Sequence, residues 1–228
     1  MNALQYAIAG SLAALSFMLL GLSVRALVRY YRAPTRAQLM WGAGLVFAAG
    51  AMVIETVVYL GAVSSVILQT YVFFSAAIVG VLSLGATRIL RSPKVERVYT
   101  DYIVATCGLV GVFSYLTTLA PASMVSGGII TGDPPLLLLV LSSLVTFPAT
   151  VVLLTASYLS LRRSWKWQTL LMIGGALILG AGGTLYIASF PVALYYAEFL
   201  GIILLFFGLI SLPPSASHTT PVSAGQGV

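Results

Sequence analysis

Two carboxylates, Glu55 and Glu198, sit inside long apolar runs whose interiors hold no basic side chain. An ionised carboxylate in such a medium is costly, so it is paired, protonated, or neutralised by a bound cation or polar solute. Ionisable residues at membrane depth therefore mark ion paths, proton relays and ligand sites. Each glutamate lies about seven residues from one end of its run, and at ~1.5 Å per residue both stand roughly 10 Å below it. When the two runs cross in opposite directions these ends coincide, and the pair can face one another.

Helical spacing aims both residues at neighbouring helices. In the second run, Gly44, Ala48, Ala51 and Glu55 form a stripe of small residues suited to close contact. Tyr195, Glu198 and Gly201 share a face of the seventh run, while the sixth supplies Ala176, Gly180 and Gly183, followed by Thr184. Gln69, Phe73, Ala76 and Gly80 line one side of the third. Further polar groups collect in the same half, namely Tyr59, Thr70, Ser114, Tyr115, Thr117, Thr118, Tyr186 and Tyr196. The expected site is an outward-facing polar pocket with Glu55, Glu198, Gln69, Thr184, Tyr195 and Tyr59 as binding residues. It would take a cation, a proton, or the amine or hydroxyl groups of a small solute. An alternative stays open: the tyrosines form an interfacial belt, and each glutamate is a protonated group hydrogen-bonded across helices.

The elements that carry these residues follow from composition. With 60% hydrophobic and 7% charged residues and a mean hydropathy of +1.05, the chain lacks the polar surface of a soluble fold. Its solvent is lipid, which a run of ~20 apolar residues crosses as a helix. Seven runs are predicted, at 3–28, 38–61, 65–90, 101–120, 136–160, 168–188 and 192–212. The expected fold is an all-α integral membrane protein, with a single seven-helix transmembrane domain over 1–212 and a disordered cytoplasmic tail over 213–228. The first run reads as a retained span rather than a signal peptide, because Arg25 to Arg36 follow it and nothing basic precedes it. Solid apolar runs also exclude the alternation of a transmembrane β-barrel.

The 11 basic residues fix an orientation. Arg25, Arg29, Arg32 and Arg36 follow the first run; Arg88, Arg91, Lys94 and Arg97 the third; Arg162, Arg163 and Lys166 the fifth. Short loops rich in Lys and Arg stay cytoplasmic, which puts the N-terminus outside and the C-terminus inside in a multi-pass protein of the cell membrane. This distribution explains the net charge of +6 without nucleic-acid binding, which would gather basic residues on one patch with interleaved aromatics. Contact with anionic lipid headgroups is expected instead.

A repeat is the next level of organisation. The segment QLMWGAGLVFAAGAMVIETVVYLGA from Gln38 aligns with QTLLMIGGALILGAGGTLYIASFPVA from Gln168, matching Gly44 with Gly174 and Gly50 with Gly180. The following runs end alike, in GVLSL at 80–84 and GLISL at 208–212. Runs one to three would match runs five to seven, with the fourth as an inverting linker in a 3+1+3 parallel repeat. This layout resembles the SWEET sugar transporters, and seven spans with this orientation also resemble the microbial rhodopsins. Both resemblances are architectural. The retinal-binding lysine of a rhodopsin has no counterpart, since Lys94 and Lys166 lie in loops, and Pro148 has no partner in the first run to form a SWEET-type sugar site.

Pro148 breaks a backbone hydrogen bond within the fifth run and predicts a kink, with Thr146 and Thr150 placed to satisfy freed carbonyls. Asp101 is expected to pair with an arginine at the inner surface or to act as an inner gate. Cys107 reads as a packing residue, with no second cysteine for a disulfide. Residues 120–135, rich in Gly and Pro and bearing Asp133, form the one sizeable outer loop and are placed to cap a cavity. No cofactor or metal is expected, because no membrane-depth histidine, His and carboxylate cluster or nucleophile with a base is found. Three function classes follow: a small-solute, cation or proton-linked transporter or binding protein; a non-catalytic subunit of a larger membrane complex; and a heptahelical sensor without retinal. Membrane-protein partners or a homo-oligomer fit the second.

Overall fold

The computed structural model describes residues 3–32, 34–90, 92–126, 129–130 and 134–163, with further single residues and short stretches within 167–178 and 197–208. The regular structure of this part is helical apart from one minimal strand pair. Helix α1 covers Ala3–Arg32, α2 Arg36–Tyr59, α3 Ser65–Ala86, α4 Pro93–Leu116, a short α5 Pro121–Met124 and α6 Leu136–Arg163. Between α5 and α6, β1 (Val125–Ser126) and β2 (Ile129–Ile130) pair antiparallel, Val125 opposite Ile130. Helices α1, α2, α3, α4 and α6 are each long and apolar enough to cross a membrane. They are the first five apolar runs. The described residues of the sixth and seventh runs are helical; the rest of both, and the 213–228 tail, lie outside the described residues.

Local chemistry sets the helix ends. Thr35 and Ser64 are extended N-caps whose hydroxyls accept from Gln38 N and Ile67 N, at 3.4 and 3.3 Å. Helix α2 ends in paired bonds, Gly61 N to Val58 O at 2.9 Å and Ala62 N to Val57 O at 3.1 Å. Gly61 has a φ of 94°, the left-handed position this motif reserves for glycine. The fourth helix begins at Pro93, well before the expected 101, because Ser92 and Pro93 form a helix start. It ends at Leu116 rather than 120, as Thr117 and Ala120 turn extended ahead of Pro121. Helix α3 stops at Ala86, and a 3-10 turn over Thr87–Leu90 completes the third run.

Consecutive helices pack in sequence, and α6 lies against both α3 and α4. On α1 the buried seam is Ala9, Leu12, Ser16, Leu19, Ser23 and Ala26, an alternation of three and four that matches left-handed helix pairing. Ser23 Oγ donates to Gly42 O of α2 at 3.0 Å, and a Cβ on Gly42 would run into Leu27. The backbones meet closely because both sides are small. Between α2 and α3 three glycines receive large side chains: Gly44 faces Leu82, Gly50 faces Phe74, and Gly85 of α3 takes the Trp41 indole. Phe47, Phe73 and Phe74 pack edge to face and tilted, with centroids 5.3 to 6.0 Å apart.

Burial is graded across the bundle. In the apolar windows, 56% of α2 is buried but only 17% of α4, so α2 and α3 form the centre. Large apolar side chains on the outer helices stay open, Phe17 at 75%, Phe147 at 72% and Val98 at 70% exposure. Such surface is unsuited to water and suited to lipid. The 120–135 loop contributes to the core, since Met124 and Ile130 are buried and β2 packs on α2.

Helix α6 carries Pro148, which removes the N–H that would bond Leu144 O. The expected rescue by threonines does not reach this carbonyl: Thr150 Oγ1 donates to Thr146 O at 2.9 Å. Instead Tyr102 of α4 donates its hydroxyl to Leu144 O at 2.6 Å. A neighbouring helix thus supplies the donor that proline withholds. Tyr102→Phe should cost ~0.6–1.5 kcal/mol in the wild-type background and almost nothing beside Pro148→Ala, where the helix restores its own bond. A double-mutant cycle on unfolding in mixed micelles measures this, and equal costs in both backgrounds would refute the linkage.

Candidate functional site

Glu55 projects from the last third of α2 and is buried, with 2% of its surface exposed. Its burial follows from the stripe below it: Gly44, Ala48 and Ala51 are all buried, and the absence of bulk on this face lets helices close over it. Tyr59, one turn further, is half-buried. The helix therefore holds a carboxyl group inside the bundle about one turn from its end at Tyr59.

The second group of expected residues gathers where α3 begins and α4 ends. Gln69, 7% exposed, donates Nε2–H to Thr117 O at 2.8 Å. Ser65 Oγ accepts from Leu119 N at 3.3 Å. Thr70 Oγ1 donates to Val66 O at 2.8 Å and lies 2.9 Å from Tyr115 Oη. Because the single Thr70 proton is engaged, Tyr115 is the donor in this contact. Three residues in the first two turns of α3 thus hold the end of α4 and the segment after it. Gln69 spends one amide proton there, which leaves its second N–H and its carbonyl oxygen. Ser114 is fully buried, and its hydroxyl makes no hydrogen bond among the described residues.

Glu198, Thr184 and Tyr195, with Tyr186 and Tyr196, lie outside the described residues. Of the expected binding residues the structure places Glu55 and Tyr59 on α2 and Gln69 on α3. Asp101, expected in an ion pair, is exposed on α4. Glu96, five residues earlier, meets Arg36 at 3.4 Å, while Arg36 Nη2 donates to Thr100 Oγ1 at 3.3 Å. Glu96 sits in the first turn of α4, level with the α1–α2 loop, whereas Asp101 lies more than a turn further along the helix. The pair brings the first and second basic clusters to one end of the bundle, opposite the Ser65–Leu119 contact.

Other polar contacts were not legible from sequence. Tyr99 Oη lies 2.7 Å from Ser83 Oγ, which itself donates to Gly80 O at 2.6 Å. Cys107 is half-buried beside Gly80. Their common signal is a small residue on α3 facing an aromatic or polarisable group on α4, and recognising it requires the helix pairing. No family model matches the chain, and no curated protein or solved structure is significantly similar to it. The functional reading therefore rests on the residues themselves.

Proposed function

We propose that this protein is a multi-pass protein of the cell membrane that binds, and moves, a small solute, cation or proton through an outward-facing pocket built around Glu55 and Glu198. The observation that carries this reading is the Glu55 carboxyl group, 2% exposed within an apolar span. A group so costly to insert is retained where its charge is used. In this reading the chain has seven spans in a 3+1+3 parallel repeat, with the basic end cytoplasmic and the N-terminus outside. Glu198 then reaches the depth of Glu55 from the opposite side of the membrane-spanning pair. Gln69, Thr184, Tyr195 and Tyr59 supply neutral hydrogen-bonding groups, and no catalytic step is assigned.

Flux into proteoliposomes, across a panel of cations and small solutes with and without a pH gradient, tests the reading. Wild type should raise flux of at least one species, and Glu55→Gln and Glu198→Gln should each return it to background. Background flux in wild type under every condition would sink the transport proposal.

A second reading, a non-catalytic subunit of a larger membrane complex, is favoured by Asp101. This acid is exposed on α4 between Val98 and Val104, themselves 70% and 62% exposed. A charge on a lipid-facing surface is unfavourable, and a partner helix would cover it. Stoichiometric co-purification in mild detergent, lost in Asp101→Leu, distinguishes this reading.

A further inference from the structure

We infer that the inner end of α4 is a binding site for an anionic phospholipid. A groove of about 440 Å³ runs along this helix, lined by Lys94, Val95, Val98, Tyr99 and Tyr102. These residues recur at one-turn and two-turn intervals, so they share a face about 12 Å long at ~1.5 Å per residue. Val95 and Val98 are 49% and 70% exposed. The two tyrosine rings are stacked, 6.5 Å apart and 26° from parallel. Both hydroxyls are engaged within the protein, with Ser83 Oγ and with Leu144 O. The groove is open and apolar, a surface for an acyl chain rather than for a free ion.

The Lys94 end of the groove is basic. Lys94 lines it and is exposed, as is Arg97 on the next turn. Arg36 is already engaged by Glu96, so among the described residues Lys94 and Arg97 carry the uncommitted charge at this end of α4. Ser92, the N-cap, makes no side-chain hydrogen bond to the first turn, which leaves the amides beside Lys94 uncapped by it. Uncapped amides at a helix start and an adjacent ammonium together attract a phosphate. A headgroup phosphate at Lys94 and an acyl chain over Val95, Val98 and the tyrosine rings fit one ligand. The site is basic at headgroup level and apolar immediately below it, the pattern by which helix surfaces hold acidic lipids.

Native mass spectrometry of the full chain tests the site, after exchange into detergent holding equal phosphatidylglycerol and phosphatidylcholine of matched acyl chains. Wild type should retain phosphatidylglycerol in preference. Lys94→Gln should lower that retention about fivefold, the size expected of one basic residue at a membrane surface. Val98→Trp, which fills the groove and keeps every charge, should lower retention of both lipids; Val95→Phe serves the same purpose if that variant fails to fold. Arg25→Gln, which removes one charge from α1, should leave the preference intact. Added inorganic phosphate should not displace the lipid. The site is overturned if Lys94→Gln or the groove-filling variant retains lipid like wild type. It is equally overturned if Arg25→Gln reduces the preference as much as Lys94→Gln, or if inorganic phosphate competes.

Discussion

Gly85→Ala should lower stability by ~1–3 kcal/mol, the usual cost of overpacking a filled core, and Gly85→Val by more. A methyl group at this position would overlap the Trp41 indole at Nε1 and Cδ1. The indole cannot easily retreat, because Trp41 is 6% exposed and belongs to the central core. Gly44→Ala offers the informative contrast. Its methyl would meet Leu82 Cδ2 at 2.6 Å and Cγ at 2.8 Å, a shallower overlap than at Gly85 and against a smaller side chain, although Leu82 is itself fully buried. Unfolding in mixed micelles should therefore rank Gly85→Ala well below Gly44→Ala. Trp41→Phe should recover much of the loss in Gly85→Ala, since the smaller ring frees the space and Trp41 Nε1 has no hydrogen-bond partner among the described residues. An equal penalty for both glycine variants would contradict this account of the α2–α3 contact.

Glu55→Met should abolish solute-dependent flux. Methionine matches the length of glutamate and keeps the buried site filled, so the variant removes the carboxyl group without opening a cavity. The opposite pattern, a loss of ~1–3 kcal/mol with flux unchanged, would assign Glu55 to structural hydrogen bonding and remove the basis of the proposed pocket. Thermal unfolding and proteoliposome flux on the same preparations separate the two outcomes.

Much of the architecture was legible because lipid imposes a simple grammar of long apolar runs and short basic loops. Helices α1, α2, α3 and α6 begin within two residues of the expected starts. The start of α4 was missed because its first two turns carry Lys94, Glu96 and Arg97, which a hydropathy reading treats as loop. The small stripe on α2 was visible in sequence, but not that Trp41, Phe74 and Leu82 would be the bulky partners of glycines across the α2–α3 contact. Pro148 announced a freed carbonyl, yet the donor came from Tyr102 on another helix, and local sequence does not encode which helix is adjacent. That Glu96 meets Arg36 likewise depended on the level at which α4 starts. For the site, burial of Glu55 was expected from spacing, whereas the use of Gln69 to hold the α4 terminus was not.

The sequential packing of the helices bears on how the protein is made. Helix α1 finds its seam on α2, α2 on α3, and α3 on α4, so each newly synthesised helix meets a neighbour released just before it. Chains emerge from the ribosome N-terminus first, and local contacts form sooner than distant ones. The α1–α2 hairpin, with its Ser23–Gly42 bond, can be complete before α3 leaves the translocon. Helix α6 departs from this order by seating itself against α3 and α4 together. Its arrival is the first step in biogenesis that requires two earlier helices to stand in place, and Tyr102 is the residue waiting for it.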